Sequence, residues 1–212
     1  MAKNSHGRLL AAAAKPILQP LGFQRRGQSR LWLADERFWL IVVEFQPSSW
    51  SKGSYLNVGA QWLWYPKEHF SFDSGYRVET LAIFKSEAQF ALEAERLARR
   101  ASEEALKLRE NFSSLSVIAS RLEAEAAVQK YWPLYHGAVA AGLAQRTDAA
   151  RTLFERLLSE TGEFDWQKQL YSTARKLAAS LDDPAAFRSQ VSHLIEECRA
   201  LQKLPFVPDC LP

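Results

Sequence analysis

Two alternating segments carry the side chains best suited to binding chemistry. Glu44 and Gln46 end one of them, and Asn57 and Gln61 share a face of the next, with Gly59 between. If the segments pair through the loop 47–53, the four side chains gather into an amide-rich patch with one carboxylate. Arg25 and Arg26 would approach it from the connector Arg25-Arg26-Gly27. Amides both donate and accept hydrogen bonds, and a guanidinium pairs with carboxylates in a planar fork. Such a patch suits a small polar ligand or a peptide backbone. It serves equally as a structural network, because a one-residue slip in register sends alternate side chains to the opposite face.

Three other chemistries have partial support. Asp35, with Glu44 and Gln46, resembles an acid-plus-E-x-K magnesium site of restriction-type nucleases, in which two carboxylates hold the metal. Here Gln46 stands where that pattern needs lysine. Arg25, Arg26, Arg30, Arg37 and Lys52, with Trp50 among them, match the combination of cations and stacking rings that binds single-stranded nucleic acid. Nucleophilic or metal catalysis has least support. His6, His69, His136 and His193 are scattered, and Cys198 lies between acidic and basic neighbours in Glu197-Cys198-Arg199. Neighbouring carboxylates raise a thiol pKa and make it inert. No catalytic residue, metal ligand or cofactor site is expected, and the reading leans away from an enzyme.

Charge and aromatic content are unevenly spread. Residues 1–85 hold 11 Lys and Arg against 6 Asp and Glu, whereas residues 86–212 hold 16 against 18. Five of the 7 Trp lie between Trp32 and Trp64. The basic surplus falls short of a nucleic-acid footprint, and strands attract aromatic residues on their own account. Two cysteines in 212 residues exclude a disulfide scaffold. With no apolar run of about 18 residues and no export signal, a cytoplasmic protein with no membrane role is expected.

These side chains must be positioned by an α+β fold. Residues 6–19 have helical spacing, with Pro16 inside and Pro20 at the end. Period-two patterns then predict strands over 29–33, 37–46, 54–64 and 76–84, an antiparallel meander of about four. Trp62 and Trp64 share the apolar face with Leu56 and Val58 and belong to the core. From Ser86 the pattern is helical, opened by the capping box Ser86-Glu87-Ala88-Gln89. About six helices follow in hairpins, with Asp183 as one N-cap. The expected organisation is a sheet region over 1–85, a helical region over 86–204 packed on it as one compact unit, and a loose tail over 205–212.

Leu21-Gly22-Phe23, Arg25-Arg26-Gly27, the strand ending in Gln46 with Ser48 after it, and Asn57-Val58-Gly59 resemble a bacterial family known as domain of unknown function 4304. The resemblance covers about residues 9–85. It implies a helix leading into an antiparallel sheet and no particular activity. Ala138, Gly142, Ala150 and Phe154 resemble a single tetratricopeptide unit, which implies protein-interaction architecture. The combined expectation is an interaction or ligand-sensing module with a protein partner or a small polar ligand. Nucleic-acid binding is the alternative.

Overall fold

A computed structural model describes residues 5–212. The described residues form two compact units: residues 5–61 with 70–110, and residues 62–69 with 111–212.

The first unit opens with helix α1 (Ser5–Leu18), which runs through Pro16 and buries Leu10, Ala14 and Leu18 on one stripe. A 3-10 turn over Gln19–Leu21 ends at Gly22, whose φ of 84° is the left-handed region that glycine enters without strain. Five strands follow: β1 (Phe23–Arg25), β2 (Leu31–Asp35), β3 (Trp39–Pro47), β4 (Gly53–Trp62) and β5 (Ser74–Ile83). They form one sheet in sequential order β1-β2-β3-β4-β5. The segment expected to be a plain connector supplies the extra strand: Phe23, Gln24 and Arg25 pair with Ala34, Leu33 and Trp32. Arg37 is not the start of a strand. It turns the chain between β2 and β3 at φ 74°, and its N–H donates to Asp35 Oδ1 at 3.0 Å.

Strand β3 is buried from Trp39 through Val43, and polarity enters only at Glu44 and Gln46. A long helix, α2 (Glu87–Asn111), lies on the β5 side, where Arg96 pairs with Glu79 at 3.1 Å and Tyr76 donates to Glu104. Its start keeps the Ser86 half of the expected capping box, while the Gln89 side chain reaches one residue further back than the box requires. Ser86 Oγ accepts from Gln89 N at 3.2 Å, and Gln89 Oε1 accepts from Lys85 N at 3.1 Å. The units do not follow the division at 85/86: α2 groups with the sheet, and residues 62–69 group with the later helices.

The second unit holds α3 (Leu115–Val128), α4 (Trp132–Leu143), α5 (Thr147–Ser159), α6 (Asp165–Ala179) and α7 (Pro184–Leu201). Helix α4 is buried almost all round and packs against α3, α5, α6 and α7. Small residues allow this. A Cβ on Gly142 would stand 2.5 Å from Phe187 Cζ, so only glycine fits at that crossing. Trp62 and Trp64 are fully buried, as their pattern predicts. Their rings stack 4.9 Å apart, with Phe112 edge-on to Trp62. Asp183 caps α7 by accepting from Ala185 N and Ala186 N, both at 3.0 Å. The C-terminal tail is tied down rather than loose: Arg199 donates to Pro205 O at 2.6 Å, and Cys210 and Leu211 are buried.

Candidate functional site

Antiparallel partners share a face of the sheet, which sorts the expected site residues. Leu31 pairs with Glu44 and Trp32 with Val43, while Arg25 pairs with Trp32. Glu44 and Gln46 therefore lie on one face and Arg25 on the other. Asn57 pairs with Arg77 across β4 and β5. It joins the Glu44 face, donating its amide to Glu44 Oε2 at 3.0 Å and to Gln46 Oε1 at 2.9 Å. Three of the six expected ligand residues thus meet in one network.

Arg77 completes that network, and sequence reasoning missed it. It donates to Gln46 Oε1 at 3.0 Å and to Asn57 Oδ1 at 3.4 Å, and its guanidinium carbon lies 4.0 Å from the centroid of the Tyr55 ring. The ring's negative face attracts the cation, so three contacts hold one planar group. A shallow depression lined by Asn57, Phe72, Gly75, Tyr76 and Arg77 adjoins it. The available signal was an arginine in an alternating strand, but β4 and β5 are out of regular register at Leu56 and Asn57. Period alone did not say which face Arg77 takes.

Gln61 stands outside the cluster and is fully buried. The segment 70–73, between the strands expected over 54–64 and 76–84, folds back over the end of β4. Asp73 N donates to Ala60 O at 2.9 Å, Ser71 N donates to Gln61 Oε1 at 3.0 Å, and the Phe72 ring would lie 3.1 Å from a Cβ at Gly59. Glycine at 59 lets the ring approach, and the ring's segment covers Gln61.

The arginines of the connector have other partners. Arg25 donates to Ser29 O at 2.7 Å and to Gln28 O at 2.9 Å, bracing the β1–β2 turn. Arg26 stacks over Phe70, its guanidinium carbon 5.7 Å from the ring centroid. Burial and the charge of Arg25 lower the pKa of Arg30, against the pull of Glu44. Lys52 lies over Phe84 at 3.8 Å. Trp50 is 92% exposed at the tip of the β3–β4 hairpin. Of the six residues expected to meet nucleic acid, Arg25, Arg26 and Lys52 thus make intramolecular contacts, and Arg37 shapes a turn.

The carboxylates of the magnesium reading do not converge. Asp35 pairs with Leu40 and Glu44 with Leu31, four residues apart along β3. At about 3.3 Å per residue that is some 13 Å, far beyond a shared metal. Among the described residues, no group of three or more His, Cys, Asp or Glu is placed to hold a metal ion. Also among them, no helix is long and apolar enough to cross a membrane.

Residues 14–112 match the family model described as domain of unknown function (DUF4304). The match begins inside α1 and ends just past α2. It takes in the whole sheet and the helix beside it, reaching beyond the 9–85 span in which the resemblance is read. No curated protein and no solved structure matches the chain.

Proposed function

We propose that the protein, built around this domain of unknown function, is a non-enzymatic binding module. Its sheet takes a protein or small polar ligand bearing a carboxylate. The observation that carries this reading is the clamp on Arg77. Its Nε and one Nη2 hydrogen are spent on Asn57 and Gln46, and no partner among the described residues is bonded to Nη1. The remaining donors form the outer edge of a fork already fixed in place. A fixed fork loses little side-chain entropy on meeting a carboxylate. Glu44 Oε1 lies in the same network and offers an acceptor to an N–H of the ligand. Both cysteines are buried and no disulfide joins them, in keeping with a bacterial cytoplasmic setting.

The test is a calorimetric titration with succinate, glutamate and inorganic phosphate, on the full chain and on Arg77→Lys and Arg77→Ala. Binding of a carboxylate that weakens about tenfold in Arg77→Lys, where the charge stays but the fork is lost, supports the reading. Equal affinity in all three proteins ends it. Nucleic-acid binding through the front half has weaker support, since its cations hold structural contacts.

A further inference from the structure

The depression beside Arg77 differs in chemistry from the polar network it adjoins. It has a volume of about 360 Å³, and Asn57 and Arg77 are the polar side chains at its edge. Phe72, Gly75 and Tyr76 make up the rest of the lining, so Arg77 is the one charged residue there. The volume lies at the small end of the about 300–1,000 Å³ typical of ligand pockets, which favours a compact molecule over a long peptide. A tail that enters it meets carbon and backbone, with no second charge to pair.

Gly75 contributes backbone alone. Its register partner on β4 is Gly59, so neither strand carries a side chain at that position. The strands close up accordingly. A Cβ on Gly75 would stand 2.7 Å from Gly59 Cα, and one on Gly59 would stand 2.7 Å from Gly75 Cα. Side chains are excluded from this pair, and planar peptide units remain.

The two rings of the lining are fixed before any ligand arrives. Phe72 belongs to the fold-back held by Asp73 N to Ala60 O at 2.9 Å and Ser71 N to Gln61 Oε1 at 3.0 Å. Within it, Ser71 Oγ also donates to Asp73 Oδ1 at 2.8 Å. Tyr76 is 56% exposed, yet its hydroxyl is anchored by donating to Glu104. Rings already held in place lose little freedom when a ligand meets them.

We propose that the acid taken by Arg77 carries an aromatic ring that lies in this depression against Phe72 and Tyr76, a choice of ligand that rests on the carboxylate reading of Arg77. A planar ring lies close on a strip of backbone that has no Cβ atoms, whereas a puckered saturated ring stands further off. Aromatic pairs in offset or edge-to-face geometry also gain about two- to tenfold in affinity beyond what burial gives.

The experiment is calorimetry with benzoate, phenylacetate and 3-phenylpropionate, each beside the cyclohexyl acid of the same chain length, and with succinate. The proteins are the full chain, Phe72→Leu and Arg77→Lys. The tightest aromatic acid should bind the full chain about fivefold better than its cyclohexyl counterpart. That comparison needs no variant to fold. Phe72→Leu keeps an apolar side chain in the wall and should shrink the difference to about twofold or less. Arg77→Lys should weaken the aromatic acid about tenfold. Aromatic acids that bind no better than cyclohexyl ones, or not at all, overturn the assignment. If succinate binding still depends on Arg77, the carboxylate reading survives that result. A ring preference undiminished in Phe72→Leu puts the ring elsewhere and overturns the assignment as well. Affinities for aromatic acids and succinate that are all unchanged in Arg77→Lys end both.

Discussion

Arg77 lies against Tyr55, its guanidinium carbon 4.0 Å from the ring centroid, although the two residues belong to different strands, β5 and β4. The contact fixes the plane of the guanidinium, and Asn57 and Gln46 fix its rotation. Asn57 is the hub, since it also ties Glu44 and Gln46 together across the β3–β4 pair.

Replacing that hub should cost stability as well as binding. Asn57→Ala removes the donor to Glu44 and Gln46 in a half-buried setting, worth about 1–2 kcal/mol in all. Thermal unfolding should shift down by several degrees. Asn57→Asp should be worse, because it sets a second carboxylate against Glu44. A melt of Asn57→Ala that superimposes on the parent would show that the network does not contribute.

On β5 and α2, Tyr76 and Glu104 predict an acid limb. Burial works against the Glu104 charge. The hydrogen bond from Tyr76, then Lys107 and Arg100, outweigh it and hold the carboxyl below its ordinary value of 4.5. A carboxyl whose folded pKa is depressed contributes stability above its unfolded pKa, and that contribution is lost as pH falls through the folded value. Glu104→Gln should therefore be less stable than the parent at neutral pH, with the difference narrowing below about pH 4.5. Denaturant midpoints at pH 7 and pH 3 check this.

A second acid limb should appear earlier, from His6. Burial first, then the charges of Arg30 and Lys52, lower its pKa from 6.5. The ring meets Phe84 and Phe90 edge-on, with centroids 6.1 and 5.9 Å away. The unfolded chain takes up the proton first, so stability should fall as pH drops below about 6.5 and level off below the folded pKa. His6→Phe should flatten the stability profile between pH 6.5 and pH 5. An unchanged slope would assign that loss to other groups.

In the helical unit, Trp64 Nε1 donates to His136 Nδ1 at 2.9 Å, and both side chains are buried. Trp64→Phe keeps an aromatic ring beside Trp62 but removes the donor together with part of the ring volume. It should cost more than the about 1–3 kcal/mol of leaving a buried acceptor without its hydrogen bond, because a cavity adds to that penalty. Chemical denaturation of the variant measures it directly.

The connector arginines should behave as structural groups. Arg25→Ala loses the clasp on the Gln28 and Ser29 carbonyls. It should lower stability while leaving oligonucleotide affinity and its salt slope unchanged. Fluorescence anisotropy with a single-stranded probe at two salt concentrations separates the readings. A steep salt dependence that Arg25→Ala with Arg26→Ala reduces would restore the nucleic-acid alternative.

What the sequence by itself determined was local. The period-two and helical patterns locate four of the five strands, and the helices, to within a few residues, and miss the short β1. Ser86 with Gln89 and Asp183 mark helix starts, because a cap acts within three or four residues of itself. The tryptophan pair reads as core from its apolar neighbours alone. Glu44, Gln46 and Asn57 stood out as polar breaks in otherwise apolar strands. The tertiary structure decided which of these meet. Cross-strand register put Arg25 on the face opposite Glu44, and an irregularity between β4 and β5 put Arg77 beside Asn57. A fold-back at 70–73 covered Gln61. Each of these choices depends on pairing between segments far apart in the chain. Alternation states only that neighbouring side chains point to opposite faces, and which face is which is settled when the strands dock.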